Sequence, residues 1–294
     1  MTRKILFVIN PASGEKSPIL SDINESMNRY SIDWDVVITK KNISIKKQLS
    51  AKPLSSISEI CIYGGDDTVH EVSSFLLGSK MPIYILHGGT ANTLAHELDI
   101  PVDLQKALEI LAHGRVVQKS IDSAYCNKEL FFSASLIGPM SMVNTQTSRE
   151  KKNVLGIVAY IHTFLTSIGD MKPTEFQITI GSKTIYKKGL GVLILNSQLS
   201  SFGGLKINSQ ASVSNGQLVV ALIPKIEVST FVEGIIHLAK NSYLDLITEY
   251  WLCKEATIVT ENSTKILCDD SISEGTKVKL KIGDKKIKVL VPQQ

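Results

Sequence analysis

Three short apolar runs punctuate the first third of the chain, KILFVIN (4–10), EICIYGG (59–65) and PIYILHGG (82–89), and each ends in a polar or glycine-rich turn. Apolar runs of this length, bounded by turn residues, are what strands buried on both faces require. Between and after them lie polar or amphipathic segments: 17–30, DTVHEVSSFLLG (67–78), ANTLAHEL (91–98) and DLQKALEILAHG (103–114). The alternation predicts strand, loop and helix units around a parallel sheet, an α/β domain over 1–120. Such sheets bind ligands beyond the carboxyl ends of their strands, so the three loops are expected to converge there.

From about residue 120 the pattern changes. KELFFSASLIG, EFQITIGSKTIYKKGLGVLILN, GQLVVALIP, ATIVTENSTKILCDD and TKVKLKIGDKKIKVLVP read as strands, with hairpins expected at Gly181-Ser182 and Gly283-Asp284. Helix-like spacing occurs over 154–169 and 228–250. Residues 121–284 are therefore expected to form a mainly antiparallel, β-rich domain with a few helices. No repeat, low-complexity run or long linker marks the boundary, which rests on the change of pattern near 118–122.

Composition narrows the classes. The 294 residues are 43% hydrophobic and 20% charged with a formal net charge of +4, a globular balance that is too weakly basic to argue for nucleic acid but compatible with anionic ligands or an anionic membrane. Cys61, Cys126, Cys253 and Cys268 form no CxxC pair, and MTRKILFVIN enters a strand without a signal-peptide pattern. A reducing cytoplasm is the expected home. The longest apolar stretch, LFFSASLIGPMSMV (130–143), is broken by Gly138-Pro139 and falls short of the ~20 residues of a spanning helix. Membrane contact is expected to be peripheral and transient.

Chemistry concentrates in NPASGEKS (10–17), GGDDTVHEV (64–72) and HGGTANTLAHEL (87–98). In each, glycine lets backbone N–H groups approach a ligand while a following helix N-terminus adds partial positive charge. Ser13, Thr68, Thr90 and Asn92 add side-chain partners for phosphate oxygens or a bound Mg²⁺. A carboxylate at Asp66 repels bare phosphate but serves a nucleotide carrying metal. One such loop alone reads as an ordinary turn with an Asp or Thr helix cap; three in consecutive units read as a site. Neither G-x-x-x-x-G-K-[ST] nor G-x-G-x-x-G is present.

In order, NPASG, GGDDTVHEV and HGGTANTLAHELDIP resemble the diacylglycerol kinase catalytic family of bacterial lipid kinases, sphingosine kinases and ceramide kinases. The resemblance continues through IDSAYCNKELFFSASLIG, VLGIVAYIHTFL, LGVLILNSQ, GGLKINSQASVSNGQLVVALIP and VKLKIGDKKIKVLVP, nearly end to end. It implies an N-terminal domain similar to that of NAD kinases, a β-rich C-terminal lipid-substrate domain, a last strand (about 285–294) returning to the first domain, and transfer of the ATP γ-phosphoryl group to a lipid hydroxyl. It places nucleotide contacts at Asn10, Ser13, Gly14, Thr39, Gly64, Gly65, Asp66, Asp67, Thr68, Gly89, Thr90 and Asn92. Asp66 is implied to organise phosphates and Mg²⁺, and Asp122 resembles an acid that recurs just after the first domain, with a strand-end Asp capping local amides as the alternative.

Three positions depart from the family pattern. Where the family has G-G-D-G-T, position 67 is Asp: it caps the helix, binds metal, or weakens ATP binding through a second charge. Where D-G-E is usual, the chain reads Asp269-Asp270-Ser271, leaving Asp269 as candidate base, Glu274 as a distant substitute, and a plain hairpin turn as the alternative. Where an Asp often helps hold a structural cation, Asn215 stands, a weaker ligand for Mg²⁺ or Ca²⁺.

The six histidines lack zinc-binding spacing; His70 and His87 lie in the loops and are expected in structural roles. The pairs Lys40-Lys41, Lys46-Lys47, Lys151-Lys152 and Lys187-Lys188, and TSREKKNVLG (147–156), are the candidates for facing an anionic membrane. The leading expectation is an ATP- and Mg²⁺-dependent kinase of a diacylglycerol-like or sphingoid-like lipid, with homodimer formation open. A weakened or inactive relative that binds nucleotide or lipid, and a soluble NAD-kinase-like enzyme, are the alternatives.

Overall fold

The computed structural model describes residues 3–14, 18–139, 141, 171–197, 211–225, 249–269 and 271–293. They form two compact units, one taking the chain up to Ser123 and again from Gly283, the other taking the described residues from Ala124 to Ile282.

In the first unit, β1 (Lys4–Ile9), β2 (Asp33–Ile38), β3 (Glu59–Gly64) and β4 (Pro82–His87) are all parallel to their neighbours. The order is β4, β3, β1, β2, and β4 is flanked in parallel by the last strand, β14 (Ser271–Pro292), through Lys288 and Val289. Burial explains the composition of the central strands: every residue of β3 is buried, and Ile5 through Ile9 are at most 2% exposed. Each such Ile, Leu or Val contributes roughly 1.5–3 kcal/mol of burial.

The helices cover this sheet. In α1 (Ile19–Arg29) Ile23 and Met27 face inward; in α5 (Leu104–His113) Ala107, Leu108, Leu111 and Ala112 do. The Asp103 side chain accepts from Lys106 N at 2.8 Å to start α5, and Gly114 ends it at φ 75°, a left-handed cap suited to glycine. Arg29 bonds Glu109 at 2.7 Å across the pair. At the opposite edge of the strands from the loops, Arg3 bonds Glu59 at 2.6 Å and donates to the carbonyls of Leu111 and Ala112, so one guanidinium ties β1, β3 and the end of α5.

Two elements of this unit lie outside the sequence expectation. β2 reads DWDVVI, in which the one buried residue, Val37, shares its parity with the two exposed aspartates so that no alternation marks a strand, and α2 (Ile45–Ser50) is too short for periodicity to reveal. The third helix, α3 (Asp66–Phe75), begins at the first of the paired aspartates, and α4 (Thr93–Glu97) is a single turn and a half.

The strand β5 (Val116–Cys126) leads into the second unit, where it forms a hairpin with β6 (Glu129–Phe131). There follow β7 (Ala134–Ile137), β8 (Thr174–Ile180), β9 (Lys183–Gly189), β10 (Gly191–Leu195), β11 (Leu218–Ile223), β12 (Glu249–Cys253) and β13 (Glu255–Cys268). The order β12, β11, β10, β7, β13, β14 is antiparallel throughout. β13 takes β8 along Thr257–Thr260 and β7 along Ile266–Cys268, with a register irregularity between Val259 and Thr264 separating the two stretches. Phe131, Phe176, Ile178, Val192, Ile258 and Ile266 centre its core.

The hairpin at Gly181-Ser182 is present, with Gly181 at φ 56° between paired Ile180 and Lys183. The one expected at Gly283-Asp284 is not: β14 runs straight through. What changes there is the phase of burial. Val278 and Leu280 point inward before Gly283, and Ile287, Val289 and Val291 after it, so the polar pair marks a change of inward parity where the strand passes from one unit to the other. Residues 154–169 and 228–248 of the expected helices lie outside the described residues, and 249–250 open β12 instead of closing a helix.

The phase change is testable by urea denaturation. Leu280→Ala and Val289→Ala are each expected to cost about 2–4 kcal/mol, whereas exposed Lys279→Ala is expected to stay within about 0.5 kcal/mol of the parent. A costly Lys279→Ala with a neutral Val289→Ala contradicts the register.

Candidate functional site

The strand register aligns the loops of the first unit. Ile9 pairs with both Ile38 and Tyr63, and Gly64 with His87. Asn10, Thr39, Gly65 and Gly88 therefore leave the sheet along one carboxyl-end edge, where α/β sheets hold ligands.

Each loop is fastened to the next. Asn10 Nδ2 donates to Thr68 Oγ1 at 3.0 Å, and Asn10 Oδ1 accepts from Ala12 N at 3.0 Å, so one side chain shapes its own turn and grips α3. Ser13 N donates to Asn10 O at 3.0 Å, and Thr39 N to Ile9 O at 2.8 Å. Gly14 lies at φ 76° against the Tyr63 hydroxyl, which occupies the place of a Cβ. Thr68 is 3% exposed, and its side chain fills the space above Gly64, where a Cβ would come 2.6 Å from Thr68 Cβ.

The two glycine pairs pack on each other. A Cβ on Gly88 would lie 2.6 Å from Gly64 N, and one on Gly89 2.6 Å from Gly65 Cα. These are backbone atoms that cannot swing aside, so the loops after β3 and β4 touch main chain to main chain.

Asp66 joins the same two loops. Its Oδ2 accepts from Asn92 N at 3.0 Å and its Oδ1 from Thr93 N at 2.7 Å, so the first residue of α3 caps α4 from the neighbouring loop. Asn92 itself is left-handed at φ 47°, and its amide accepts from Gly89 N at 2.7 Å and donates to Gly89 O at 3.0 Å. Asparagine tolerates this conformation better than most residues. Thr90 is exposed at the rim of the same loop.

Asp67 follows as the exposed second residue of α3. Its backbone is helical and is not among the positive-φ positions, so replacing the family's glycine imposes no strain. Its charge favours the helix start. The N-cap, Gly65, provides no side-chain cap for α3, which leaves first-turn N–H groups directed at the loop edge.

His87 takes a structural position. Its Nε2 bonds Ile100 O at 2.8 Å, its Nδ1 is buried, and its ring meets that of His96 edge-on with centroids 4.6 Å apart. Burial, above all, lowers its pKa below the ordinary imidazole value. Asp122 lies further along β5, fully buried, and pairs with Lys286 Nζ at 2.7 Å; it sits within a strand, not at a strand end.

The remaining candidates are in the second unit. Asp269 occupies the two-residue turn between Cys268 and Ser271 at φ 42°, so the hairpin reading of this segment holds. Its Oδ2 accepts from Phe132 N at 2.8 Å and its Oδ1 from Ser133 N at 3.1 Å and Ala134 N at 3.0 Å. Ser271 Oγ donates to Cys268 O at 3.1 Å. Glu274 pairs across the strands with Lys265 instead of turning back toward Asp269. Asn215 Oδ1 accepts from Gln217 N at 3.0 Å in a local turn. Among the described residues no group of three His, Cys, Asp or Glu is placed to cage a metal.

Sequence reasoning passed over Gly88 and Tyr63. Both were visible, as the first glycine of HGGT and the tyrosine before GGDD, but their importance lies in which atoms they face.

The adjacent aspartates are expected to differ. Asp66→Ala removes the acceptor of two amides and should cost about 1–2 kcal/mol in thermal or chemical unfolding, while Asp67→Ala should change stability by at most about 0.5 kcal/mol. Equal effects contradict the clamp. For His87, the unfolded ring protonates near the ordinary value of 6.5 and the folded ring only below it. Between those values the unfolded chain binds more protons, so this stability is present above pH 6.5 and is lost as pH falls through the folded pKa. Melting temperatures followed from pH 7.5 to 5 should fall less steeply in His87→Gln than in the parent; an unchanged slope contradicts this.

Residues 4–124 match the model of the diacylglycerol kinase catalytic domain. A Klebsiella pneumoniae protein named "Probable lipid kinase YegS-like" is 28% identical over 216 residues, covering 72% of this chain and 71% of that protein. An uncharacterized protein of Synechocystis sp. is 24% identical over 306 residues, covering 97% of this chain and 69% of that one. A crystal structure of a diacylglycerol kinase from Bacillus anthracis superposes with a TM-score of 0.72 at 17% identity, covering 98% of this chain and 97% of that one, a likeness of fold. The match over residues 4–124, the lipid-kinase relatives and the shared fold together support the diacylglycerol kinase catalytic family as the one this chain is similar to.

Proposed function

We propose that the protein transfers the γ-phosphoryl group of ATP to the hydroxyl of a diacylglycerol-like or sphingoid-like lipid. The observation that carries this reading is the fastening of three loops at one sheet edge, through Asn10 to Thr68, Asp66 to Asn92 and Thr93, and glycine against glycine. Catalysis of phosphoryl transfer is mainly positioning and charge stabilisation, which a preorganised backbone cradle supplies.

The residues fit a nucleotide. Glycine surfaces admit phosphates close to the main chain, and the first turn of α3, without a side-chain cap, directs N–H groups at them. A Mg²⁺ carried by phosphates and water needs one or two protein carboxylates; Asp66 would provide one at the loop. ATP with Mg²⁺ supplies the transferable group and neutralises charge on it. Asn10, Ser13, Gly14, Thr39, Thr68 and Thr90 then hold and orient phosphates and ribose from the strand ends.

Asp269 is the candidate proton acceptor for the lipid hydroxyl. Its three amide bonds fix its orientation while occupying much of its acceptor capacity. The same bonds favour a second reading, a family member with weak turnover, because the position where a second acid is usual is Ser271, bonded to a backbone carbonyl.

Membrane access in this reading is peripheral. Among the described residues no helix is long and apolar enough to cross a bilayer. Lys40, Lys41, Lys46 and Lys47 are exposed on and before α2, suited to an anionic surface. Lys187 and Lys188 instead pair with Glu249 and Glu175, and 147–156 lies outside the described residues.

Purified protein incubated with labelled ATP, Mg²⁺ and a panel of diacylglycerols, sphingoid bases and NAD is expected to label lipid. Labelling of NAD alone, or of nothing, overturns the proposal. Asp67→Gly is expected to tighten ATP binding about three- to tenfold, the screened effect of one exposed charge near phosphate. Ser271→Glu separates the two readings: a large gain in turnover identifies the parent as weakened.

A further inference from the structure

Two of the four cysteines occupy equivalent positions at the ends of neighbouring hairpins in the second unit. Cys126 is the last residue of β5 and pairs with Glu129 across a two-residue turn whose first residue, Asn127, is left-handed at φ 57°. Cys268 is the last residue of β13 and pairs with Ser271 across a two-residue turn whose first residue, Asp269, is left-handed at φ 42°. Between the thiols lies Ser135, directly opposite Cys268 in the β7 register. Its Oγ is 3.5 Å from Cys126 Sγ and 3.2 Å from Cys268 Sγ, so one hydroxyl bridges the two sulfurs.

We propose that Cys126 and Cys268 form a reversible thiol and disulfide pair, oxidised by hydrogen peroxide to a bond that staples the β5–β6 turn to the β13–β14 turn. The two thiols share the Ser135 hydroxyl, so closure requires side-chain rotation and an approach of two strand ends. Both are buried, 1% and 3% exposed, but each lies one residue inside a hairpin turn, where strands open most readily to a molecule as small as peroxide.

The surroundings assign the roles. The Ser135 hydroxyl donates to the Cys126 sulfur, and hydrogen bonding with the neighbouring Cys268 side chain favours the Cys126 thiolate against the opposing effect of burial. That bond and burial push Cys268 in the other direction. Cys126 is therefore the attacking sulfur. Its thiolate takes one oxygen from hydrogen peroxide, breaking the O–O bond and releasing hydroxide, and becomes a sulfenic acid. The Cys268 sulfur then attacks the Cys126 sulfur, the S–O bond breaks, and water leaves with the Cys268 proton. Two thiols lose two electrons, and one peroxide becomes two waters once the hydroxide takes up the proton first released by Cys126. Cys61 and Cys253 stay reduced by contrast: burial pushes both thiols up, Cys253 to about 11.

The staple acts on a turn with a defined task. Asp269 follows Cys268 directly, and its carboxylate holds the amides of Phe132, Ser133 and Ala134. Oxidation thus fixes the backbone on both sides of that carboxylate, whatever reaction the protein performs.

The test is a peptide map of the full chain. Protein treated with hydrogen peroxide, denatured in alkylating agent and digested is expected to yield a disulfide-linked pair of peptides carrying Cys126 and Cys268. Dithiothreitol should reverse the link, with Cys61 and Cys253 alkylated throughout. In Cys268→Ser, Cys126 should accumulate as a sulfenic acid trapped by dimedone. A different pairing, conversion of Cys126 to sulfinic acid without a linked pair, or retention of all four thiols overturns the proposal. Should the variant fail to fold, the map of the parent protein decides alone.

Discussion

The loop after β3 lies against the loop after β4 with no side chain between them, and the organisation of the first unit's site follows from that contact. Gly88 faces Gly64 N and Gly89 faces Gly65 Cα at distances that exclude even a methyl group. Only at this separation can Asp66, at the start of one loop's helix, reach the amides that open the next. The clamp in turn holds Asn92 in its left-handed turn around Gly89. The paired aspartates therefore have distinct tasks: Asp66 takes one amide of the next loop on each oxygen, and Asp67 presents its charge at the exposed edge.

The second unit uses a related device. Asp269 adopts the left-handed conformation and gathers three consecutive amides with one carboxylate. Carboxylates bonded to several N–H groups are strongly held in place, so both acids that the family resemblance marks as chemical are also local organisers of backbone. Removing either disturbs geometry as well as charge, and a loss of activity alone does not identify a catalytic role. Stability and activity have to be read together.

Much of this was legible in the sequence. Uninterrupted runs such as EICIYGG mark strands buried on both faces, and all three such runs became central strands. The glycine loops were recognisable because turn residues followed those runs directly. Less visible were elements whose burial is decided by neighbours. β2 carries Asp33 and Asp35 on its exposed positions, and only pairing with β1 makes it a strand. Gly283-Asp284 has the composition of a hairpin turn, yet the strand continues because successive stretches of β14 bury opposite parities of residues. Local composition gives the break but not its geometry. The same limit applies to Asp66: residue type announced a charge at a phosphate loop, whereas its bonds to residues 26 and 27 positions away depend on how two loops pack.

Hydrogen exchange of the protein with and without ATP and Mg²⁺ tests the central claim most directly, because the cradle is made of amides. The account predicts that nucleotide slows exchange together in 10–14, 64–69 and 88–94, the three fastened loops, with little change at the Arg3 end of the same strands. Protection confined to other segments, or none at saturating nucleotide, would contradict it.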